Sequence, residues 1–244
     1  KVKGAADTPQ IIEATHSLVW NANNNDASNI LGESVSATVS AAGFYGQTGK
    51  LNQAIAFDAN LDQTEGDYAN ITTVSTREGM GIGTGLDVNQ GTLSLWIKKS
   101  GNWTTLPGPE LVPGSGFHYE YLYYNASTPD NFYLYHFMSS PTAPVGPDLN
   151  YLTFEVGGEA SSMDASLLEA GRWYFVICRW DCRRAGFSTE FASYESEIEV
   201  YSDAGARVGY NGSTGIDVPT GIGAISYLAN VTDLAHFNGL IDDL

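Results

Sequence analysis

The feature that most limits the fold is an alternation of apolar and polar residues along short segments, which are separated by clusters of Gly, Pro, Asn and Asp. In one such segment Leu93, Leu95 and Ile97 occupy every second position. A period of two places successive side chains on opposite faces of a β-strand. The pattern predicts strands at residues 54–58, 92–98, 118–124, 132–138, 152–156, 173–180, 196–202 and 223–228, and hence an all-β fold.

The number of strands in a chain of 244 residues favours one antiparallel two-sheet β-sandwich of jelly-roll type. Segment 173–180 is apolar on both faces, which predicts a central strand. The main helical candidate is a short turn at 163–169. We expect an N-terminal arm at residues 1–15 and a single sandwich domain at 16–244.

The charge of the chain excludes one class of partner and favours one compartment. It contains 28 acidic and 11 basic residues, a formal charge of −17. A non-specific nucleic-acid binder needs a basic surface, so nucleic acid is not expected as a partner, and no apolar run is long enough for a membrane span. Scarce Lys, abundant Asn and Tyr, and Asn-x-Ser/Thr sequons indicate an extracellular, cell-surface or virion-surface protein. Candidate N-glycosylation sites are Asn70, Asn102, Asn125, Asn211 and Asn230.

Several segments carry a family resemblance through their order and spacing. They are 16–21 (HSLVWN), 49–58 (GKLNQAIAFD) followed by 66–68 (GDY), 91–98 (GTLSLWIK), 169–181 (EAGRWYFVICRWD), 197–205 (EIEVYSDAG) and 237–244 (FNGLIDDL). Together they resemble the concanavalin A-like, laminin-G-like (LamG) jelly-roll family. Members of that family normally continue after the "IDD" segment into a last strand, whereas this sequence stops at Leu244. We therefore expect the final strand to come from sequence beyond Leu244 or from another chain.

The resemblance also implies a structural Ca²⁺. In the family the opening loop, the "GDY" turn and the "IDD" segment often meet around this ion, and the matching residues here are Asp26, Asp67 and Asp242, with Asp58 or Asp243 as further ligands. Ca²⁺ prefers several oxygen ligands, which such loops supply. The alternative is that these Asp residues cap turns at strand ends.

Three glutamates alternate in one predicted strand. Glu195, Glu197 and Glu199 would share one face with neighbouring Cα atoms roughly 6.5–7 Å apart, within the range that glycosidase carboxylates use. Laminarinase-type glucanases of the same superfold carry a Glu-x-Asp-x-x-Glu pattern, from which Glu-Ser-Glu-Ile-Glu departs. We expect a solvated or cation-binding outer sheet face and no enzyme activity; hydrolysis is the less favoured alternative.

Aromatic side chains in and near one predicted hairpin are candidates for glycan binding. Tyr rings pack on the C–H faces of sugars, and their hydroxyls bond to sugar oxygens. The alternative is that about half of these rings fill the core. The glycan-binding candidates are Tyr121, Tyr123, Tyr133 and Tyr135 on the strands, and Trp103 as an exposed platform in the loop after 92–98.

The two cysteines lie in Cys-Arg-Trp-Asp-Cys. In a straight strand the Cα atoms of Cys178 and Cys182 would be about 13 Å apart, too far to bridge, but a turn or bulge between them would permit a disulfide. The sequence therefore leaves open whether these two cysteines are bridged or reduced.

Four of the six arginines fall within thirteen residues, at Arg172, Arg179, Arg183 and Arg184. We expect them to pair with acidic neighbours in the same chain, or else to meet an acidic surface on the next subunit.

These features favour a non-catalytic surface module that binds glycans or mediates adhesion. The first alternative is a structural subunit of a filament, sheath or capsid that assembles with other copies by exchange of the arm or a strand. The second is a glycoside hydrolase or lyase of the same superfold.

Overall fold

A computed structural model of the chain describes residues 19–21, 26–28, 35–39, 44–50, 53–57, 69–73, 90–104, 116–125, 132–139, 149–181, 195–215, 225–228 and 237–242. The strands in this part of the chain are β1 (Val19–Asn21), β2 (Asp26–Ser28), β3 (Val35–Val39), β4 (Phe44–Thr48), β5 (Gln53–Phe57), β6 (Ala69–Thr73), β7 (Gln90–Lys99), β8 (Phe117–Asn125), β9 (Phe132–Ser139), β10 (Asn150–Val156), β11 (Glu159–Asp164), β12 (Tyr174–Asp181), β13 (Ser196–Ser202), β14 (Arg207–Ser213), β15 (Ile225–Leu228) and β16 (Gly239–Asp242). All of the segments that alternation predicted contain a strand.

The fold is an antiparallel β-sandwich, as predicted. Sheet 1 has the strand order β11-β10-β9-β8-β15-β6-β3, and sheet 2 has the order β14-β13-β12-β7-β16-β5-β4. Strands β1 and β2 form a separate two-stranded ribbon. The predicted central strand is β12, which lies between β13 and β7. The short 3₁₀ turn Ala165–Leu167 lies within the predicted helical segment.

The core lies between the sheets and is built from the inward positions of both. Leu95 and Ile97 of β7 are completely buried, and so are Phe154 and Val156 of β10. Trp180 of β12 joins the sheets, because its ring centroid lies 4.8 Å from that of Phe132 in β9 and 6.1 Å from that of Phe154. Burial of this apolar surface is the main force that holds the sandwich closed.

A cluster of hydroxyl groups joins the sheets at one edge. Ser161 of β11, Ser196 of β13 and Ser213 of β14 lie within hydrogen-bond distance of one another, with Oγ–Oγ distances of 2.7 to 3.1 Å. The first two of these side chains are buried, so the mutual bonds satisfy groups that water does not reach.

The N-terminal arm at 1–15 lies outside the described residues, so the division into arm and domain stays a prediction. Ile241 and Asp242 of the "IDD" segment lie in β16, which is placed between β5 and β7. No helix in the described ranges has the length and apolar character needed to cross a membrane.

Candidate functional site: a tyrosine face on sheet 1

Strands β8 and β9 present aromatic side chains on the face of sheet 1 that points away from the core. We call this set the tyrosine face; all of its members are partly exposed. Its members are Phe117, Tyr119, Tyr121, Tyr124, Tyr133, Tyr135 and Phe137. The two strands pair directly, with Tyr121 opposite Tyr135 and Tyr119 opposite Phe137, which places the rings side by side.

A β-bulge in β8 decides which tyrosines belong to this face. The register shifts between Tyr121 and Tyr123, so Leu122 and Tyr123 are both buried and the alternation resumes with Tyr124 outside. Tyr123 is 2% exposed and contacts the core ring of Phe132 at 5.9 Å. The prediction that Tyr123 binds glycans is therefore corrected, because one extra residue turns its side chain into the core.

The rings of the tyrosine face pack on one another. Those of Tyr124 and Tyr133 are stacked, with centroids 4.7 Å apart and planes 7° from parallel. Tyr121 is central, with ring contacts to Tyr119, Tyr135 and both members of this stacked pair at 5.6–6.2 Å. Because one face of each stacked ring is covered by its partner, each of these two rings has at most one face left for a ligand.

The hydroxyls of this face are neutral hydrogen-bonding groups. Tyr135 donates to Glu155 Oε2 at 3.0 Å, and Glu155 lies on the neighbouring strand β10 opposite Tyr133. Burial, and after it the charge of Glu155, raises the pKa of Tyr135 above its ordinary value. Burial also raises the pKa of Tyr121 and of Tyr133. These phenols stay protonated at neutral pH and can both donate and accept hydrogen bonds.

Trp103 does not contribute to an exposed surface. It is 1% exposed, and its ring lies under Lys99 Nζ at 5.3 Å and edge-on to His136 at 5.1 Å. Its indole Nε1 is buried and has no hydrogen-bond partner among the described residues. The expectation of an exposed Trp103 platform is wrong, because the turn after β7 folds this ring into the end of the core.

Beside Trp103 lies a buried polar cluster that the sequence analysis missed. Lys99 Nζ is 2.5 Å from Glu120 Oε2, and the same carboxylate oxygen is 2.9 Å from His136 Nδ1. His136 Nε2 lies 2.8 Å from Asn150 Oδ1. Burial acts to raise the pKa of Glu120, but the hydrogen bond with His136 and the charge of Lys99 outweigh it and hold the pKa below its usual value. The sequence contained one sign of this cluster, because alternation places Glu120 and His136 on the inward side of β8 and β9.

The three glutamates of the 195–199 segment are buried, which corrects the expected solvated face. Glu197 and Glu199 point away from the core, as alternation predicted, yet they are 2% and 8% exposed. Arg179 of β12 binds both, with Nη1 at 2.6 Å from Glu197 and Nη2 at 3.2 Å from Glu199. Burial raises the pKa of Glu197 despite the opposing charge of Arg179. Glu195 is also buried and accepts the backbone N–H of Gly215 at 2.9 Å.

Two members of the arginine cluster pair within the chain, as expected. Besides Arg179, Arg172 contacts Glu169 at 3.1 Å and Asp203 at 3.2 Å on the surface. Arg183 and Arg184 lie outside the described residues.

The predicted calcium ligands are described only in part. Asp242 is completely buried in β16, Asp26 begins β2, and Asp67 lies outside the described residues together with Asp58 and Asp243. Among the described side chains, no group of three or more His, Cys, Asp and Glu is placed to hold a metal ion. The calcium site therefore stays a prediction.

Cys178 has a free thiol in the core, and burial raises its pKa well above the ordinary value. Because this thiol is free, the structure has the unbridged one of the two states that the sequence left open; Cys182 itself lies outside the described residues.

The sequons differ in accessibility. Asn102 and Asn211 are exposed, although Asn211 Nδ2 also donates to the carbonyl of Ser162. Asn125 is completely buried, which leaves no room for a glycan on the folded chain. Asn70 lies in β6, and Asn230 is outside the described residues.

Solved structures with the same fold include sugar-binding and toxin domains. Domain 4 of AbnA, a GH43 extracellular arabinanase from Geobacillus stearothermophilus, in complex with arabinotriose, has a TM-score of 0.50 and 18% identity, over 95% of this chain and 91% of that one. The binding domain of botulinum neurotoxin serotype D/C has a TM-score of 0.53 and 12% identity, over 94% of this chain and 47% of that one. The binding domain of botulinum neurotoxin serotype G has a TM-score of 0.50 and 7% identity, over 93% of this chain and 46% of that one.

This chain spans about half the length of the toxin binding domains. At these identities the likeness shows a shared all-β sandwich fold. No protein-family model matches the chain, and a search of curated proteins also gives no match.

Proposed function

We propose that this chain is a non-catalytic, LamG-like module of an extracellular, cell or virion surface, and that it binds glycans through the tyrosine face. The observation that carries this proposal is the continuous set of partly exposed phenol rings on β8 and β9, next to the carboxylate of Glu155. Sugars present hydroxyl groups and C–H faces, and such a surface offers matching hydroxyls, an acceptor and aromatic edges.

Two further lines of support come from comparison. The sequence segments between 16 and 244 resemble LamG-like domains, and domain 4 of the arabinanase, which has the same fold, is in complex with arabinotriose. A row of rings on the outer face of a sheet suits an extended oligosaccharide, since several sugar units can lie across neighbouring strands.

The geometry favours binding over hydrolysis. Glu195, Glu197 and Glu199 are the carboxylates that the sequence suggested for hydrolysis, but all three are buried, and Arg179 binds the last two. A general acid or nucleophile must reach the scissile bond. Assembly by exchange of the arm or the last strand concerns residues outside the described part and stays a prediction.

The structural Ca²⁺ is part of the same proposal. Asp26, Asp67 and Asp242 would hold it, and its charge would offset the repulsion between these carboxylates. Chelation should then lower the melting temperature of the wild type but not that of an Asp242→Asn variant. An equal response of both proteins to chelation would count against these ligands.

The glycan proposal is tested by removing hydroxyl groups from a face that otherwise keeps its rings. A broad array of immobilised oligosaccharides identifies the glycan that the wild type retains, and its Kd is measured for Tyr121→Phe, Tyr133→Phe and the double variant. We expect a loss of roughly 2–13-fold for each hydroxyl whose bond to the sugar is lost. Tyr123→Phe, on the core side of the same strand, is the matched control and should bind as the wild type does. Failure to retain any glycan, or unchanged binding by the double variant, would overturn the proposal.

A further inference from the structure

We infer that the outer face of sheet 2 carries a second binding site, which takes saccharides with a carboxylate or sulfate group. This site is separate from the tyrosine face, because the outer faces of the two sheets lie on opposite sides of the sandwich. It consists of three partly exposed aromatic rings and two lysines, which we call the lysine–tryptophan patch. Its members are Lys50, Trp96, Lys98, Trp173 and Phe175.

The central rings of the patch come from two neighbouring strands. Trp96 and Lys98 lie on the outer side of β7, because Leu95 and Ile97, which alternate with them, are completely buried. Strand β12 pairs with β7 and places Phe175 opposite Trp96, and the centroids of these two rings are 5.0 Å apart. The outside of the sheet therefore has two adjoining aromatic rings at this point.

Two lysines bring positive charge to the rings of the patch. Lys50 Nζ lies over the ring of Trp96, 5.2 Å from its centroid, and Lys98 Nζ lies over the ring of Trp173 at 5.9 Å. An aromatic ring attracts an ammonium group through its π-electron face, but it does not use all three N–H donors. Each lysine is therefore held at the patch and can still donate to an anionic oxygen of a ligand.

The charges around the patch are compatible with an anionic ligand. Two carboxylates on the same side of sheet 2, Glu197 and Glu199 of β13, are bound to Arg179 of β12. The formal charge of −17 belongs to the whole chain, and at an ionic strength of about 0.15 M charges interact over a Debye length of only about 8 Å. An acidic group that contacts Lys50 or Lys98 therefore responds mainly to these lysines.

An acidic saccharide matches both parts of the patch. The C–H face of a sugar packs against aromatic rings, and a carboxylate or sulfate accepts charge-assisted hydrogen bonds from ammonium groups. The Cα atoms of Trp96 and Lys98, two residues apart in one strand, are separated by roughly 7 Å. A sugar ring on Trp96 can therefore bring its acidic group to Lys98. An acidic peptide would match the lysines but offers no comparable C–H face to the rings.

Matched saccharides that differ only in charge test the class of ligand. The probes are oligogalacturonate with its methyl ester, sialyllactose and sulfated lactose with lactose, and a poly-glutamate peptide. Calorimetry in about 0.15 M salt gives their Kd values. We expect at least one acidic saccharide to bind about tenfold or more tightly than its neutral form. Equal binding of the charged and neutral forms, no binding of any acidic saccharide, or tighter binding of the peptide would overturn the inference.

Substitutions of the lysines test the location of the site. Lys50→Gln and Lys98→Gln should each weaken binding of the tightest acidic saccharide roughly 3–10-fold, whereas Lys98→Arg keeps the charge and should bind nearly as the wild type does. Arg207→Gln is the matched control, because Arg207 also lies over a ring of sheet 2, that of Tyr210 at 5.0 Å, but on β14, three strands from β7. Unchanged binding by the double variant Lys50→Gln/Lys98→Gln would overturn the inference.

The two proposed sites can fail independently of each other. The double variant Tyr121→Phe/Tyr133→Phe alters the tyrosine face and should bind the acidic saccharide as the wild type does. Loss of this binding in the tyrosine variant, with retention in Lys50→Gln/Lys98→Gln, would assign the acidic saccharide to the tyrosine face and overturn the second site. Loss of it only in the lysine variant supports the patch, whatever the outcome for the tyrosine face.

Discussion

Lys99 Nζ lies 2.5 Å from Glu120 Oε2, and this ion pair spans the interior of the sandwich from β7 of sheet 2 to β8 of sheet 1. Both residues are 3% exposed. Removal of one partner from such a pair leaves a buried charge without compensation, which costs more than the pair itself contributes.

We therefore expect Lys99→Met to lower the free energy of unfolding by about 3–5 kcal/mol, as measured by urea denaturation. The double variant Lys99→Met/Glu120→Gln should recover much of this loss, since it removes both charges. Lys98→Met is the matched control, because the Lys98 side chain is partly exposed on the opposite face of β7. A loss in Lys98→Met as large as in Lys99→Met would contradict the assignment.

The lowered pKa of Glu120 predicts a specific dependence of stability on pH. Because its folded pKa lies below the ordinary value of 4.5, the stabilisation by ionised Glu120 is complete above that value and is lost as the pH falls through the folded pKa. The difference in unfolding free energy between the wild type and Glu120→Gln should therefore be constant near neutral pH and shrink in acid. Denaturation curves from about pH 7 to pH 3 measure it. A difference that grows in acid would be inconsistent with the lowered pKa.

The pairing of Arg179 with two buried glutamates predicts a loss of stability in Arg179→Met that also becomes smaller in acid, here because the glutamates that lose their partner become protonated. Arg179→Met should destabilise the fold by about 3–5 kcal/mol at neutral pH, and further substitution of Glu197→Gln and Glu199→Gln should restore much of the loss. Burial already raises the pKa of Glu197, and removal of Arg179 should raise it further, so protonation on acidification should reduce the deficit. Thermal unfolding at several pH values measures both effects. Arg172→Met, whose partners are exposed, is the control and should change stability little.

Gly91 is required by the packing of Trp180. A Cβ at this position would collide with the indole ring of Trp180, which lies against the core rings of Phe132 and Phe154. Gly91→Ala should lower the free energy of unfolding by about 1–3 kcal/mol, because the ring or the strand must move. Gly101→Ala is the control, since nothing lies within 4 Å of its added Cβ. Equal melting temperatures for the two variants would argue against this contact.

Alternation predicted several of the strands and missed others, among them β14, which lacks a clear apolar face. Strand β14 contains Gly209, Asn211 and Gly212, which weaken the pattern. Gly209 has a packing reason, because a Cβ there would overlap the side chain of Met163 from the other sheet. The contact lies between residues far apart in sequence, so no local pattern indicates it.

The candidate site was predicted in outline, and the errors have physical causes. Tyr121, Tyr133 and Tyr135 lie on the outer face, as alternation predicted. The bulge turns Tyr123 toward the core and places Tyr124 on the outer face. A bulge depends on the register with the partner strand, which the tyrosine run itself does not encode. The burial of Trp103 likewise depends on a tertiary partner, since a Trp in a polar turn resembles an exposed residue until Lys99 and His136 are placed beside it.

The bulge in β8 also separates two properties of one hairpin. Substitutions at Tyr121 or Tyr124 alter the surface, whereas substitutions at Leu122 or Tyr123 alter the packing between the sheets. The recognition surface can therefore change in evolution, or be redesigned in the laboratory, without a change in the side chains that pack between the sheets.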